Sequence, residues 1–198
     1  PKVAREGFVI PSNVSFVARA AAPTTKDAGT LGTWQVATRA LSFDYLWNEV
    51  RVKGGAYGVG FSHTTEGIRR FWSFRDPNVA STLQRYDGAA AWLASWTPTD
   101  DELSGYIVSS VATQDAPEKP RALARRQDMQ RFNGRPANWR NIIRQQELDT
   151  TAEAVRALAP ALEPTAAPAG VCVFGPREAI EASGLDLTVH ELVGSEGA

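Results

Sequence analysis

The chain has 198 residues, 43% hydrophobic and 22% charged, with a net charge of −1. That length suits one substantial core and is short for two, and the balanced charge argues against a whole-surface attraction to nucleic acid or anionic lipid. No apolar run approaches the roughly 20 residues that span a bilayer, so no membrane segment is expected.

Residues 8–22 alternate apolar and polar positions around Pro11-Ser12-Asn13, which predicts two short strands with a turn or bulge between them. After a loop at Pro23–Gly29, a long helix pattern runs from about Gly29 to Lys53. Trp34, Ala37, Leu41 and Tyr45 form one apolar stripe on it, and Phe43, Leu46, Trp47 and Val50 a second, so a largely buried helix is expected. Tyr57 to Phe74 reads as a hairpin around Thr64-Thr65-Glu66-Gly67. Asp76-Pro77-Asn78 predicts a helix N-cap followed by proline, with a helix to about Ser95. Thr99 with Glu102, and Thr150 with Glu153, predict two capping boxes. Residues 117–148 are helical in propensity and break at Gly134-Arg135-Pro136, and Pro160–Pro168 is a stiff connector too short to separate domains. A strand at Gly170–Phe174, a helix opened by Pro176 and stopped at Gly184, and a strand at Leu185–Leu192 complete the chain. The expected class is α+β: a single domain over residues 1–198, with one mostly antiparallel sheet and helices packed on one face.

Several chemistries lack their residues. The two histidines, His63 and His190, are far apart, and His63-Thr64-Thr65-Glu66 is followed by Gly67 where an inverted zinc motif needs histidine, so no metal site is predicted in this chain. No G-x-S-x-G elbow is present, and Gly54 to Gly60 has helix before strand, the reverse of a phosphate loop. Cys172, the single cysteine, sits in an apolar run and reads as a small buried side chain; the lack of disulfides fits a reducing compartment. Lys119 to Arg144 is basic, with Phe132 and Trp139 interleaved. A solvated helical face with its aromatics turned to the core is preferred there over a nucleic-acid surface.

The stretch Asn48-Glu49-Val50-Arg51-Val52-Lys53-Gly54-Gly55-Ala56-Tyr57-Gly58 is the most informative. Consecutive glycines can stop a helix and reverse the chain, which would set Arg51 in the last helical turn beside Tyr57 at the start of a strand. A guanidinium and a phenol so placed can grip a carbonyl oxygen. The residues alone also fit a helix-dipole charge and an ordinary strand tyrosine.

Leu46 to Gly58, followed by Phe71-Trp72-Ser73-Phe74-Arg75-Asp76-Pro77-Asn78 and then Thr82-Leu83 and Tyr86-Asp87-Gly88, resembles the C-terminal domain of the presequence-protease branch of the pitrilysin/insulinase zinc metallopeptidases. Pro11 to Val17 is similar to that domain's first inner strand, and the resemblance covers nearly the whole chain, most weakly at 115–148. It implies one of four similar α+β domains in a larger peptidase whose two halves close around an unfolded peptide. It implies zinc bound in the first domain of the parent and none by this chain, with the N-terminal half and a peptide substrate as partners. It implies that Arg51 and Tyr57 enter the closed active site near the scissile carbonyl, that Gly54, Gly55 and Ala56 set the approach of the peptide, and that this chain alone hydrolyses nothing. A non-catalytic scaffold or core subunit of the same fold is the alternative. The Ala/Arg-rich composition and the absence of a targeting segment lean towards a bacterial cytoplasm.

Overall fold

Six strands form one mixed sheet in this computed structural model, which describes residues 3–23 and 28–192. They are β1 (Arg5–Val9), β2 (Ser15–Ala21), β3 (Gly58–His63), β4 (Arg69–Asp76), β5 (Ala169–Gly175) and β6 (Thr188–Glu191), in the order β3-β4-β2-β5-β1-β6. The β3/β4, β4/β2 and β2/β5 pairs are antiparallel, while β1 lies parallel to both β5 and β6. The two strands expected at residues 8–22 do form, but β5 lies between them, so they never pair. The reason is non-local: Val17 pairs with Val173 of β5, and both are buried at the centre of the sheet.

One face of the sheet is the core face, and the helices that touch the sheet lie on it. Trp34 of α1 (Leu31–Ala40) meets Phe61, Tyr86 of α2 (Ala80–Asp87) stacks on Phe71 at 5.1 Å, and Ile180 of α8 (Arg177–Ala182) covers Gly7. Leu93 of α3 (Ala89–Ala94) and Val155 of α7 (Ala152–Arg156) complete the same buried cluster. Alternation along the strands turns Phe8, Phe16, Trp72, Phe74 and Phe174 to the other face, half-buried or exposed. Farther out, α4 (Asp100–Asp115), α5 (Pro120–Phe132) and α6 (Trp139–Leu148) build a helical arm.

The long helix expected from Gly29 to Lys53 changes character. After α1 the chain continues as a π-helix, Leu41–Val52, in which hydrogen bonds reach one residue farther than in an α-helix. This breaks the second predicted stripe: Leu46 and Val50 are buried, while Phe43 and Trp47 are exposed. A stripe counted at the α-helical period cannot survive a widened turn.

Other local readings need similar correction. Asp76 ends β4 and does not cap α2; its carboxylate instead accepts the Asn78 N–H and the Thr82 hydroxyl. The helix expected to reach Ser95 is divided at Gly88 into α2 and α3. Thr99 and Glu102 form their capping box, but the cap before α7 is Thr151, whose hydroxyl accepts from the Ala154 N–H. The break at 134–136 falls between α5 and α6, with Gly134 at φ 66°.

Candidate functional site

The π-helix ends by nested bonds around Gly55: its N–H donates to the Arg51 carbonyl at 2.9 Å, and the Ala56 N–H donates to the Val50 carbonyl at 3.2 Å. This is the general way helices close on a left-handed residue, widened by one position as the π-helix requires. Gly55 has φ 81°, which favours glycine. Gly54 is constrained by space instead, since a Cβ there would collide with the Val50 carbonyl oxygen and Arg85 Nη1. Each glycine of the pair thus answers a different requirement.

The turn sets Arg51 and Tyr57 next to one another. The Arg51 guanidinium lies 3.9 Å over the Trp47 ring and 5.8 Å from the centre of the Tyr57 ring. Tyr57 precedes the first residue of β3, and its backbone N–H donates to the Arg75 carbonyl at 3.2 Å. Its ring meets the edge of Phe74 and the Arg51 guanidinium, and it is 65% exposed. Among the described residues no carboxylate pairs with Arg51 and no group hydrogen-bonds the Tyr57 hydroxyl. Both donors therefore stand on a rigid turn with capacity to spare, an arrangement suited to a negatively polarised oxygen.

The three residues expected to guide a peptide divide. Gly55 is exposed, the Gly54 carbonyl already accepts from Asn78 Nδ2 at 2.6 Å, and the Ala56 methyl is buried in the core. Trp47, which the α-helical stripe puts in the core, is the residue that sequence reasoning misses as a support for Arg51. The π-helix that exposes it has no signature in residue spacing.

The described residues assemble no group of three or more histidine, cysteine, aspartate or glutamate side chains that could hold a metal ion. His63 lies parallel to the Trp34 ring at 4.5 Å, and burial pushes its pKa down to about 4. His190 stacks on Phe8 and lies 3.3 Å from Glu6. Each histidine is thus packed on an aromatic ring away from the other, and this donor set does not fit a zinc centre. Cys172 is free and half-buried on the open sheet face, with its thiol pKa raised by burial.

The basic arm differs from its expected form in one respect: Phe132 is 85% exposed and does not turn to the core. Four of its eight cations form ion pairs among the described residues. Arg126 pairs with Glu118, Arg135 with Glu66, and Arg140 and Arg144 with Asp115. Glu147 is buried at the wall of a cleft of about 290 Å³ between the arm and α1. Its carboxylate accepts the Ser110 hydroxyl at 2.7 Å, and burial raises its pKa.

The family model described as the PreP C-terminal domain matches residues 5–167 of this chain. The chain belongs to that family. It is 38% identical over 112 residues to Protein HypA of Clostridium perfringens, a match covering 57% of this chain and 12% of that protein. It is 34% identical over 121 residues to Presequence protease 1, chloroplastic/mitochondrial, of Arabidopsis thaliana, covering 59% and 11%. Among solved structures, the inactive M16 peptidase domain from Pseudomonas fluorescens superposes with a TM-score of 0.66 at 19% identity, over 89% of this chain and 44% of that one. The inactive peptidase domain of a putative zinc protease from Bordetella parapertussis gives 0.67 at 15% identity, over 82% and 91%. Pitrilysin gives 0.61 at 16% identity, over 88% and 20%. These likenesses establish the α+β fold of the pitrilysin-type metallopeptidases. The PreP C-terminal-domain chain spans about an eighth of the length of those two curated relatives.

Proposed function

We propose that this PreP C-terminal domain is the substrate-binding wall of a zinc metalloendopeptidase that degrades peptides and unfolded segments. The single observation that carries the reading is the Arg51–Tyr57 pair, two donors on one constrained turn with the guanidinium 5.8 Å from the phenol ring. In the closed parent enzyme both face the scissile region from the wall opposite the zinc, hydrogen-bond the substrate and stabilise the tetrahedral oxyanion. In this reading zinc belongs to another domain of the parent; the names of related zinc proteases support zinc in the parent as a whole. The N-terminal half and a peptide are the partners, and a bacterial cytoplasm is the compartment taken on composition. Two relatives, from Arabidopsis thaliana and Mus musculus, carry chloroplastic or mitochondrial names.

The test is Tyr57→Phe in the full-length parent. Removing one oxyanion donor lowers kcat by about 10²–10³-fold. Here KM should move much less, because the hydrogen bond is strongest in the transition state. An unchanged kcat/KM would sink the catalytic role. A scaffold reading draws on the related structures that are described as inactive domains. A folded, zinc-loaded parent that cleaves no peptide would select it.

A further inference from the structure

We propose that Arg75-Asp76-Pro77-Asn78, at the end of β4, is a positioning clamp for the turn that carries Arg51 and Tyr57; the proposal rests on those two residues contacting substrate. The tetrapeptide is hydrogen-bonded to the turn at two places. The Arg75 carbonyl accepts the Tyr57 N–H at 3.2 Å, and Asn78 Nδ2 donates to the Gly54 carbonyl at 2.6 Å. Between these bonds, Pro77 Cγ lies 3.5 Å from the point a Cβ on Gly55 would occupy. Two hydrogen bonds to its main chain, one at each end of Gly54–Tyr57, hold the turn against pivoting about either end. Because both use main-chain groups of the turn, the Tyr57 ring and hydroxyl stay free.

The clamp has its own foundation. Asp76 is fully buried, with Oδ1 accepting the Asn78 N–H at 2.9 Å and Oδ2 accepting the hydroxyl of fully buried Thr82 at 2.8 Å. The carboxylate thereby ties the tetrapeptide to α2 and sets the direction of Asn78. A carbonyl can only accept, so the Asn78 amide must present its nitrogen to Gly54. Arg75 sits at φ 49°, the one non-glycine with positive φ among the described residues. Such a conformation is strained for a residue with a side chain and persists where its surroundings over-determine it. Here it falls at a register shift between β2 and β4 and delivers the carbonyl that holds Tyr57.

Asn78 is thus a positioning residue, acting on substrate through Tyr57. The test uses the intact parent with an unstructured fluorogenic peptide, comparing wild type, Asn78→Ala, Asn78→Asp, Tyr57→Phe and the Asn78→Ala/Tyr57→Phe double variant. Amide hydrogen exchange at Gly55, Ala56 and Tyr57 is measured in the same proteins against core Val173. Asn78→Asp keeps the size and removes the donor. Each Asn78 variant should lower kcat about 10–10²-fold, the scale of a small misplacement of a catalytic group, with KM within about 3-fold. Exchange at 55–57 should quicken about 10-fold while Val173 is unchanged. The double variant should fall within about 3-fold of Tyr57→Phe alone, since both act on one interaction. Unchanged exchange at the turn, losses that multiply, or exchange that quickens equally at Val173 would each overturn the clamp. If Tyr57→Phe leaves kcat unchanged, or the parent cleaves nothing, the donor reading falls while the exchange result still decides the clamp.

Discussion

Two regions of this molecule set an arginine over a tryptophan, and they differ in what lies beneath. Arg51 covers Trp47 at 3.9 Å beside a turn whose ends are bonded to β4 and to Asn78, above the buried Leu46 and Val50. Arg135 covers Trp139 at 5.0 Å between α5 and α6, where α5 contributes no buried residue and the cations are held by ion pairs at the surface. The contact chemistry is the same; the preorganisation is not. An arginine–aromatic pair becomes a candidate site when the backbone beneath it cannot move, because a donor that must reorganise gives back what its hydrogen bond contributes. Exposed ion pairs supply little such rigidity, typically under about 1 kcal/mol each.

Truncating the support of each region should show the largest contrast. Leu46→Ala, fully buried under the turn, should cost about 3–5 kcal/mol by chemical denaturation. Phe132→Ala in the arm should stay within about 0.5 kcal/mol. A comparable loss at Phe132 would mean that the arm is packed in solution, and the comparison would break. A glycine pair sharpens it further. Gly54→Ala forces a methyl against the Val50 carbonyl and should cost about 3 kcal/mol, with the Trp47 emission altered. Gly134→Ala has open space around it and meets only its φ of 66°, so about 1 kcal/mol is expected.

The smallest effect is electrostatic. His63 has a folded-state pKa near 4 against an ordinary 6.5, lowered first by burial and then by Arg69. As pH falls below 6.5 the unfolded chain takes up the proton first, so the stability tied to neutral His63 is complete above that pH and is lost on the way to about 4. Each pKa unit corresponds to about 1.4 kcal/mol; discounted for partial exposure, the loss should be about 1–2 kcal/mol. It is read as the difference in denaturation free energy between pH 7 and pH 4.5. His63→Phe, which keeps an aromatic ring on Trp34, should flatten that difference. An equally steep profile in the variant would assign the effect to other groups.

The sequence was legible where a signal and its structural consequence lie within a few residues. The Thr99–Glu102 capping box, the glycine break at 134 and the helix stop around Gly54-Gly55 all concern groups six or fewer positions apart. The Arg51–Tyr57 adjacency was legible for the same reason, as a short turn leaves the chain few alternatives. Asp76-Pro77-Asn78 misled because the same residue types serve a helix cap and a turn clamp. Its actual partners, Thr82 and Gly54, are chosen by the fold.

The sequence by itself determined the α+β class, the family likeness and the local stops and caps, through backbone preferences that act on neighbours. Only the tertiary structure decided that β5 enters between β1 and β2, that the helix through Trp47 widens into a π-helix, and that Arg75 and Asn78 grip the Gly-Gly turn. Those features join residues up to 166 positions apart, as in the Arg5–Val171 pairing. Their free energy exists only once the core has closed and the loop entropy has been overcome, so no local pattern encodes them.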